Sequence, residues 1–296
     1  MIKAIAMDMD GTLLNSNDEI MPQTKQTLIA LEKQGVRLVL SSGRSYRRLM
    51  KYAKELEMDR YGGYLVEVNG IALYDMKQDQ RKRLASFSLS ECKDLFAYFK
   101  NKGMEVIGNM DDGLLCYMTE EIYEYKKHYR KEHKIPKDFP WTAGAFSVLS
   151  DMREGYPHQR YIQDESEIDV IFNKICVTHF DSQRVAAIME QAKHDFKDSY
   201  WLGLTTKRWL EVMPKGVTKA SGLSAFCDAS GITFDEILAF GDGENDIAML
   251  DACGKAIAME NALDSVKKHA DFVTAMNNDE GIAKGIAYFR EEFICD

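Results

Sequence analysis

The sequence predicts an α/β protein in which a parallel sheet, covered on both faces, is interrupted by a second α/β domain. Three observations carry this. In residues 1–75, short and nearly continuous apolar runs alternate with longer amphipathic stretches. Residues beyond about 217 repeat that alternation, whereas residues 83–208 follow a different pattern. Strands buried on both faces read as unbroken apolar runs, and alternation with helices makes them parallel. The expected division is therefore a core of residues 1–82 and 209–296 with an inserted domain at 83–208. A length of 296 residues agrees with two domains at roughly 150 residues each.

In chain order, residues 2–7 form the first apolar run, which stops at a polar turn. A helix follows, with Thr27, Leu28 and Leu31 at helical spacing and a stop at Gln34-Gly35. Residues 36–40 are the second run, ending at Ser41-Ser42-Gly43; the next helix carries Tyr46, Leu49, Met50, Ala53 and Leu56. The run at 64–68 meets Asn69-Gly70. In the last section a helix over about 218–230 precedes a strand at 236–240 that ends at Gly241-Asp242. A helix from Glu244, strands at 256–258 and 272–273, and helices near 263–269 and from Glu280 complete the expectation. The middle section holds a mixed-charge helix over 120–134, read as a solvated face. It also holds a patch of Tyr117, Tyr123, Tyr125 and Tyr129, read as packing residues, and a turn-prone stretch at 135–140.

Composition narrows the function. Lys and Arg total 38 against 47 Asp and Glu, a formal charge of −9, so neither nucleic acid nor an anionic membrane is an expected partner. With 45% hydrophobic residues the chain can build buried cores. No run approaches the roughly 18–20 apolar residues of a membrane span, and the first residues lack the pattern of a secretory signal. The cysteines (Cys92, Cys116, Cys176, Cys227, Cys253, Cys295) are scattered without a Cys-x-x-Cys pair, which fits reduced thiols in a cytoplasmic protein rather than zinc or thioredoxin chemistry.

Four segments carry chemistry. Asp8-Met9-Asp10-Gly11-Thr12 lies where the first strand ends; two carboxylates two residues apart point the same way and can share a hard cation such as Mg2+. Taken alone it also reads as a turn. Ser41-Ser42-Gly43-Arg44 closes the second strand and opens a helix. Its hydroxyl, backbone N–H groups and helix dipole suit a phosphoryl oxygen, although alone they would be an N-cap. Lys219 opens a helix in Pro214-Lys215-Gly216-Val217-Thr218-Lys219, where the dipole disfavours a cation, and Lys215 competes with it. Gly241-Asp242-Gly243-Glu244-Asn245-Asp246 follows an apolar strand and matches neither a calcium loop nor a dinucleotide fingerprint. Ligands of open parallel sheets bind beyond the carboxyl ends of the strands, where Asp8, Asp10, Ser42 and Asp242 all fall. Together these residues describe a site for a metal and a phosphate. A P-loop, a Gly-x-Ser-x-Gly elbow and a His-Glu-x-x-His motif are absent from the sequence.

In this order, Asp8-x-Asp10-Gly-Thr, Ser42-Gly43-Arg44, Lys219 and Gly241-Asp242-Gly243-Glu244-Asn245-Asp246 resemble the four motifs of the haloacid dehalogenase superfamily. The large insertion and the Gly-Asp-x-x-Asn-Asp ending resemble its Cof-type phosphatase branch. Ser42 stands where threonine is commoner, and Val68 stands before Asn69-Gly70 where many relatives have Glu, which leaves Asn69 without an assigned role. The resemblance implies a Rossmann-like core with an inserted α/β cap. It also implies a Mg2+-dependent phosphatase that hydrolyses a small phosphomonoester, a sugar phosphate or similar metabolite, through an aspartyl-phosphate. Asp8 would be the nucleophile and Asp10 the general acid and then base. Mg2+ would be held by the Asp8 carboxylate, the Asp10 backbone carbonyl and the Asp242 carboxylate. Ser42, the Gly43 backbone, Lys219 and Asn245 would hold the phosphoryl oxygens, and Asp246 would orient Lys219 or a water on the metal. Arg44, Arg208 and Trp209 lie near the motifs or the domain hinge, where they could touch substrate, and a salt bridge or hinge packing is the expectation for each. A phosphohexomutase-type phosphotransferase on the same fold is the nearest alternative, and a non-catalytic phosphate-binding regulator a more distant one. A monomer or weak oligomer is expected.

Overall fold

Ala-Ile-Ala-Met forms β1 (Ala4–Met7), with every side chain buried, in a computed structural model that describes residues 1–293; Cys295 lies outside the described residues. The strands that follow are β2 (Arg37–Ser41), β3 (Tyr64–Glu67), β4 (Ala72–Asp75), β5 (Gln80–Arg83), β6 (Glu105–Asn109) and β7 (Gly113–Tyr117). After these come β8 (His158–Tyr161), β9 (Lys174–Thr178), β10 (Tyr200–Thr206), β11 (Trp209–Pro214), β12 (Ile237–Gly241), β13 (Lys255–Ala258) and β14 (Phe272–Val273). They build two sheets in two compact units, Met1–Leu84 with the described residues from Val217 on, and Ala85–Gly216.

The first unit holds a sheet of order β14-β13-β12-β1-β2-β3-β4-β5. The pairs from β14 to β3 are parallel, as expected, and β4 and β5 add an antiparallel edge. That edge was hidden in the sequence because β5 reads Gln-Arg-Lys-Arg, the charged composition that keeps an edge strand from pairing with another chain. Register brings the strand ends level: Met7 lies opposite Leu40 on one side and Phe240 on the other. Alternation along β1 sends Ile5 and Met7 into one apolar layer with Leu28, Leu40 and Phe240. Ala4 and Ala6 face the other, with Val66, Leu223 and Phe226. On that second face the helix Lys219–Ser230 lies very close to the sheet, since a Cβ on Gly222 would stand 2.3 Å from Val66 Cγ1.

The second unit is a sheet of order β10-β11-β9-β6-β7-β8, antiparallel except for the β7–β8 pair. Because β11 pairs with both β10 and β9, the chain returns to the core at 216/217 and not at 208/209. Trp209 is accordingly a strand residue of this sheet, 4% exposed, rather than hinge packing. The helices Leu89–Asn101 and Ser182–Phe196 cover one face, where Phe96 and Phe99 of the first helix pack with Val106, Val177 and Leu210 of the sheet. The other face carries Ile107, Cys116, Cys176 and Trp209 together with two buried ion pairs, Lys126–Glu105 and Lys174–Glu211, each at 2.6 Å. The mixed-charge helix Glu120–Glu132 is mostly solvated, with Ile122 and Lys126 buried; Lys126 is 2% exposed and also donates to the Trp141 carbonyl at 2.6 Å. The tyrosines pack as expected, Tyr123 edge-on to Trp141 and Tyr125 stacked on Phe180. Cys92, Cys116, Cys176, Cys227 and Cys253 are free thiols, and among the described residues no helix is long and apolar enough to cross a membrane.

Candidate active site

Asp8 is the first residue beyond β1, and its backbone N–H still bonds to the Phe240 carbonyl of β12 at 3.1 Å. The strand ladder thus fixes its side chain at the carboxyl edge of the sheet. Thr218 caps the helix Lys219–Ser230, with its side chain accepting from the Ser221 N–H, so Lys219 is anchored at the first helical position. Its ammonium is wholly buried and donates to Asp8 Oδ1 at 2.5 Å and to Asp246 Oδ1 at 2.6 Å. Lys215 is exposed, and Lys219 is the lysine that the carboxylates meet.

Asp246 is saturated: its Oδ2 accepts the backbone N–H groups of Asp242 and Gly243, both at 2.9 Å. Asp242 accepts the Thr12 hydroxyl on Oδ1 at 2.7 Å. Gly11 makes that approach feasible, because its φ is +81° and a Cβ there would lie 2.4 Å from Asp242 Oδ2. Each of Asp8, Asp242 and Asp246 offers an oxygen within 4.8 Å of the others.

The electrostatics of this cluster are short of positive charge. Three carboxylates face one lysine. Burial pushes the Asp8 carboxyl well up, and the Asp246 and Asp242 charges add to the rise against the pull of Lys219. Burial likewise pushes Asp242 up to about 6, opposed by its bond from Thr12. Lys219 responds in the opposite sense: burial alone would lower it, but Asp246 and Asp8 hold it above the ordinary lysine range. Oxygen donors with a deficit of positive charge fit a hard divalent cation. Among the described residues, the second oxygens of Asp8 and Asp242 carry no hydrogen bond, so each of these carboxylates keeps an oxygen for a cation or a substrate.

Ser42, buried at the end of β2, accepts the Arg44 N–H on its hydroxyl at 3.2 Å. Gly43 adjoins Asn69, whose amide oxygen accepts from Asn245 Nδ2 at 3.2 Å. Asn69 therefore links the second and fourth motifs, a role that residue spacing did not reveal. Val68 and Asn69 sit at φ +48° and +57°, a conformation that Asn tolerates and a β-branched Val does not favour. The Asn69 N–H bonds to the Ser42 carbonyl at 2.8 Å and the Val68 N–H to the Arg44 carbonyl at 3.1 Å, so this strained pair is held against the Ser42-Gly43-Arg44 turn. Asp10, half-exposed, lies outside the buried carboxylate group and is gripped by Arg44, which confirms the salt bridge expected of that arginine.

Residues 5–286 match the family model of haloacid dehalogenase-like hydrolases. Two Bacillus subtilis proteins named 5-amino-6-(5-phospho-D-ribitylamino)uracil phosphatase are similar to the chain. YitU is 27% identical, covering 95% of this chain and 94% of its own length. YwtE is also 27% identical, covering 99% and 98%. A haloacid dehalogenase-like hydrolase from Bacteroides thetaiotaomicron is similar in structure, with a TM-score of 0.77 at 25% identity over 98% of this chain and 100% of that one.

Proposed function

This chain belongs to the haloacid dehalogenase-like hydrolase family, and from that membership we infer that it is a Mg2+-dependent phosphatase acting on a small phosphomonoester. It is a phosphoric monoester hydrolase by type; the metal, the residue roles and the substrate class are the inference. The observation that carries it is the Lys219 ammonium set between Asp8 and Asp246, which leaves one Asp8 oxygen uncommitted.

Asp8 is the nucleophile. Its second oxygen forms the bond to phosphorus as the bond from phosphorus to the leaving-group oxygen breaks, giving an aspartyl-phosphate. Asp10 gives its proton to that departing oxygen, then takes a proton from the water that cleaves the aspartyl-phosphate and returns Asp8. The Asp8 carboxylate, the Asp10 carbonyl and the Asp242 carboxylate would hold Mg2+, which would supply positive charge to offset repulsion between a carboxylate and a phosphate dianion. The Ser42 hydroxyl, the Gly43 N–H, Lys219 and Asn245 hold the phosphoryl oxygens, where charge spreads during transfer. Asp246 orients Lys219, since both of its oxygens are already used. Asn69 steadies Asn245.

The test is phosphate release from a panel of sugar phosphates, flavin mononucleotide, pyridoxal phosphate and the phosphoribityl compound named for the Bacillus relatives, with Mg2+ and with EDTA. Release that needs the metal supports the reading. Isomerised sugar phosphate without free phosphate would replace hydrolysis with phosphotransfer.

A further inference from the structure

Asp10 is not held by its backbone alone. Both of its carboxylate oxygens are taken by Arg44, Oδ2 from Nε at 2.9 Å and Oδ1 from Nη2. The same Nη2 also donates to Asp18 Oδ1 at 2.9 Å. We propose that Asp18 is a positioning residue for phosphoryl transfer, acting through the Arg44 guanidinium to hold the Asp10 carboxyl in place, one oxygen of which gives up its Arg44 bond when it carries the proton for the leaving group. This rests on the reading of Asp10 as acid and base.

The arrangement is built for placement more than for stability. The Asp10 and Asp18 side chains are 54% and 56% exposed, and ion pairs that open to water contribute little to folding. Arg44 itself is only 9% exposed. Its guanidinium lies 5.7 Å from the Tyr52 ring centroid, and Nη1 donates to the Tyr52 hydroxyl at 3.4 Å. That hydroxyl donates onward to the Asp18 carbonyl at 3.3 Å. A planar guanidinium that forks a carboxylate sets the carboxylate's plane as well as its distance. The Asp18 turn is constructed to serve it. Asn15 Oδ1 accepts the N–H groups of Asn17 and Glu19, at 2.9 and 3.0 Å, and Asp18 takes a left-handed φ of +65°. Burial works against the Asp18 carboxylate, yet Arg44, with Lys51 and Arg48 behind it, holds its carboxyl below the usual range.

A general acid matters in proportion to how badly the leaving group needs a proton, which gives a readout that loss of fold would not imitate. Phenyl phosphate and p-nitrophenyl phosphate have nearly the same shape, but only nitrophenolate departs readily without a proton. In Asp18→Ala, kcat/KM for phenyl phosphate should fall about tenfold while that for p-nitrophenyl phosphate falls less than about twofold. Asp18→Asn keeps an acceptor oxygen for Nη2 and should recover most of the loss. Equal losses on the two esters, or no loss on either, would overturn the proposal. A wild type that cleaves neither ester nor any compound of the metabolite panel would remove the phosphatase reading and the proposal with it.

Discussion

Lys219→Met removes the one cation buried among the carboxylates while keeping a side chain of similar length. The ammonium is 0% exposed and sits 2.5 Å from Asp8 and 2.6 Å from Asp246, which are 7% and 0% exposed. Removing one partner of a buried charge network costs about 3–5 kcal/mol, because the remaining charges lose their compensation. Asp246 keeps two backbone donors, so most of the cost falls on Asp8, which must take up a proton to remain buried. The sign of the pH dependence follows. A carboxyl that titrates higher in the folded state than in the unfolded chain binds its proton on folding, so stability falls as pH rises above about 4, by up to about 1.4 kcal/mol per pH unit. The deficit of the variant should therefore be largest near neutrality and shrink toward pH 4. Urea unfolding offers an internal control, because Trp141, Trp201 and Trp209 all lie in the unit Ala85–Gly216. The circular-dichroism transition of the core should move to lower urea while the tryptophan-fluorescence transition stays in place. A loss below about 1 kcal/mol at pH 7, or one that grows toward pH 4, would refute the account of Lys219 as the compensating cation.

The other predictions concern separate sites. Glu32 is 3% exposed, and burial together with the Glu57 charge raises its carboxyl to about 8, with Arg37 opposing. Wild-type stability should then fall as pH rises from about 5 to 8, and Glu32→Gln should make that slope shallower in thermal melts read across the range. Gly11→Ala places a methyl against Asp242 at a left-handed φ, so the Mg2+ concentration for half-maximal activity should rise roughly tenfold, with a smaller loss of stability. Lys126→Met leaves Glu105 buried and uncompensated in the second unit; the tryptophan-fluorescence transition should lose about 3–5 kcal/mol while the core transition holds.

Much of the site was legible because apolar strands stop at polar residues. Asp8, Ser42 and Asp242 each follow a run that can only be a buried strand, and parallel topology carries such ends to one edge. Lys219 was half-legible: its place opposed the helix dipole, but only the order of the four motifs, and not its local setting, chose it over Lys215. Contacts made across the sheet were not legible. Thr12 reaches Asp242 over 230 residues and Asn245 reaches Asn69 over 176, and no local pattern encodes either pair. The later return from the inserted unit was missed for a different reason. Residues 209–214 offered no strand signal that the sequence reading used, and only pairing with β9 and β10 places them in the second sheet. Lys126 was hidden within a charged helix whose other faces are wet.

The most direct test of the account compares wild type with Asp8→Asn for release of inorganic phosphate, in Mg2+ and in EDTA. The substituted amide keeps the shape of the side chain but cannot form the aspartyl-phosphate. The account predicts metal-dependent release by the wild type and less than about one part in a hundred of it in the variant, with unchanged circular dichroism. Retention of more than that by a folded variant would contradict Asp8 as the nucleophile.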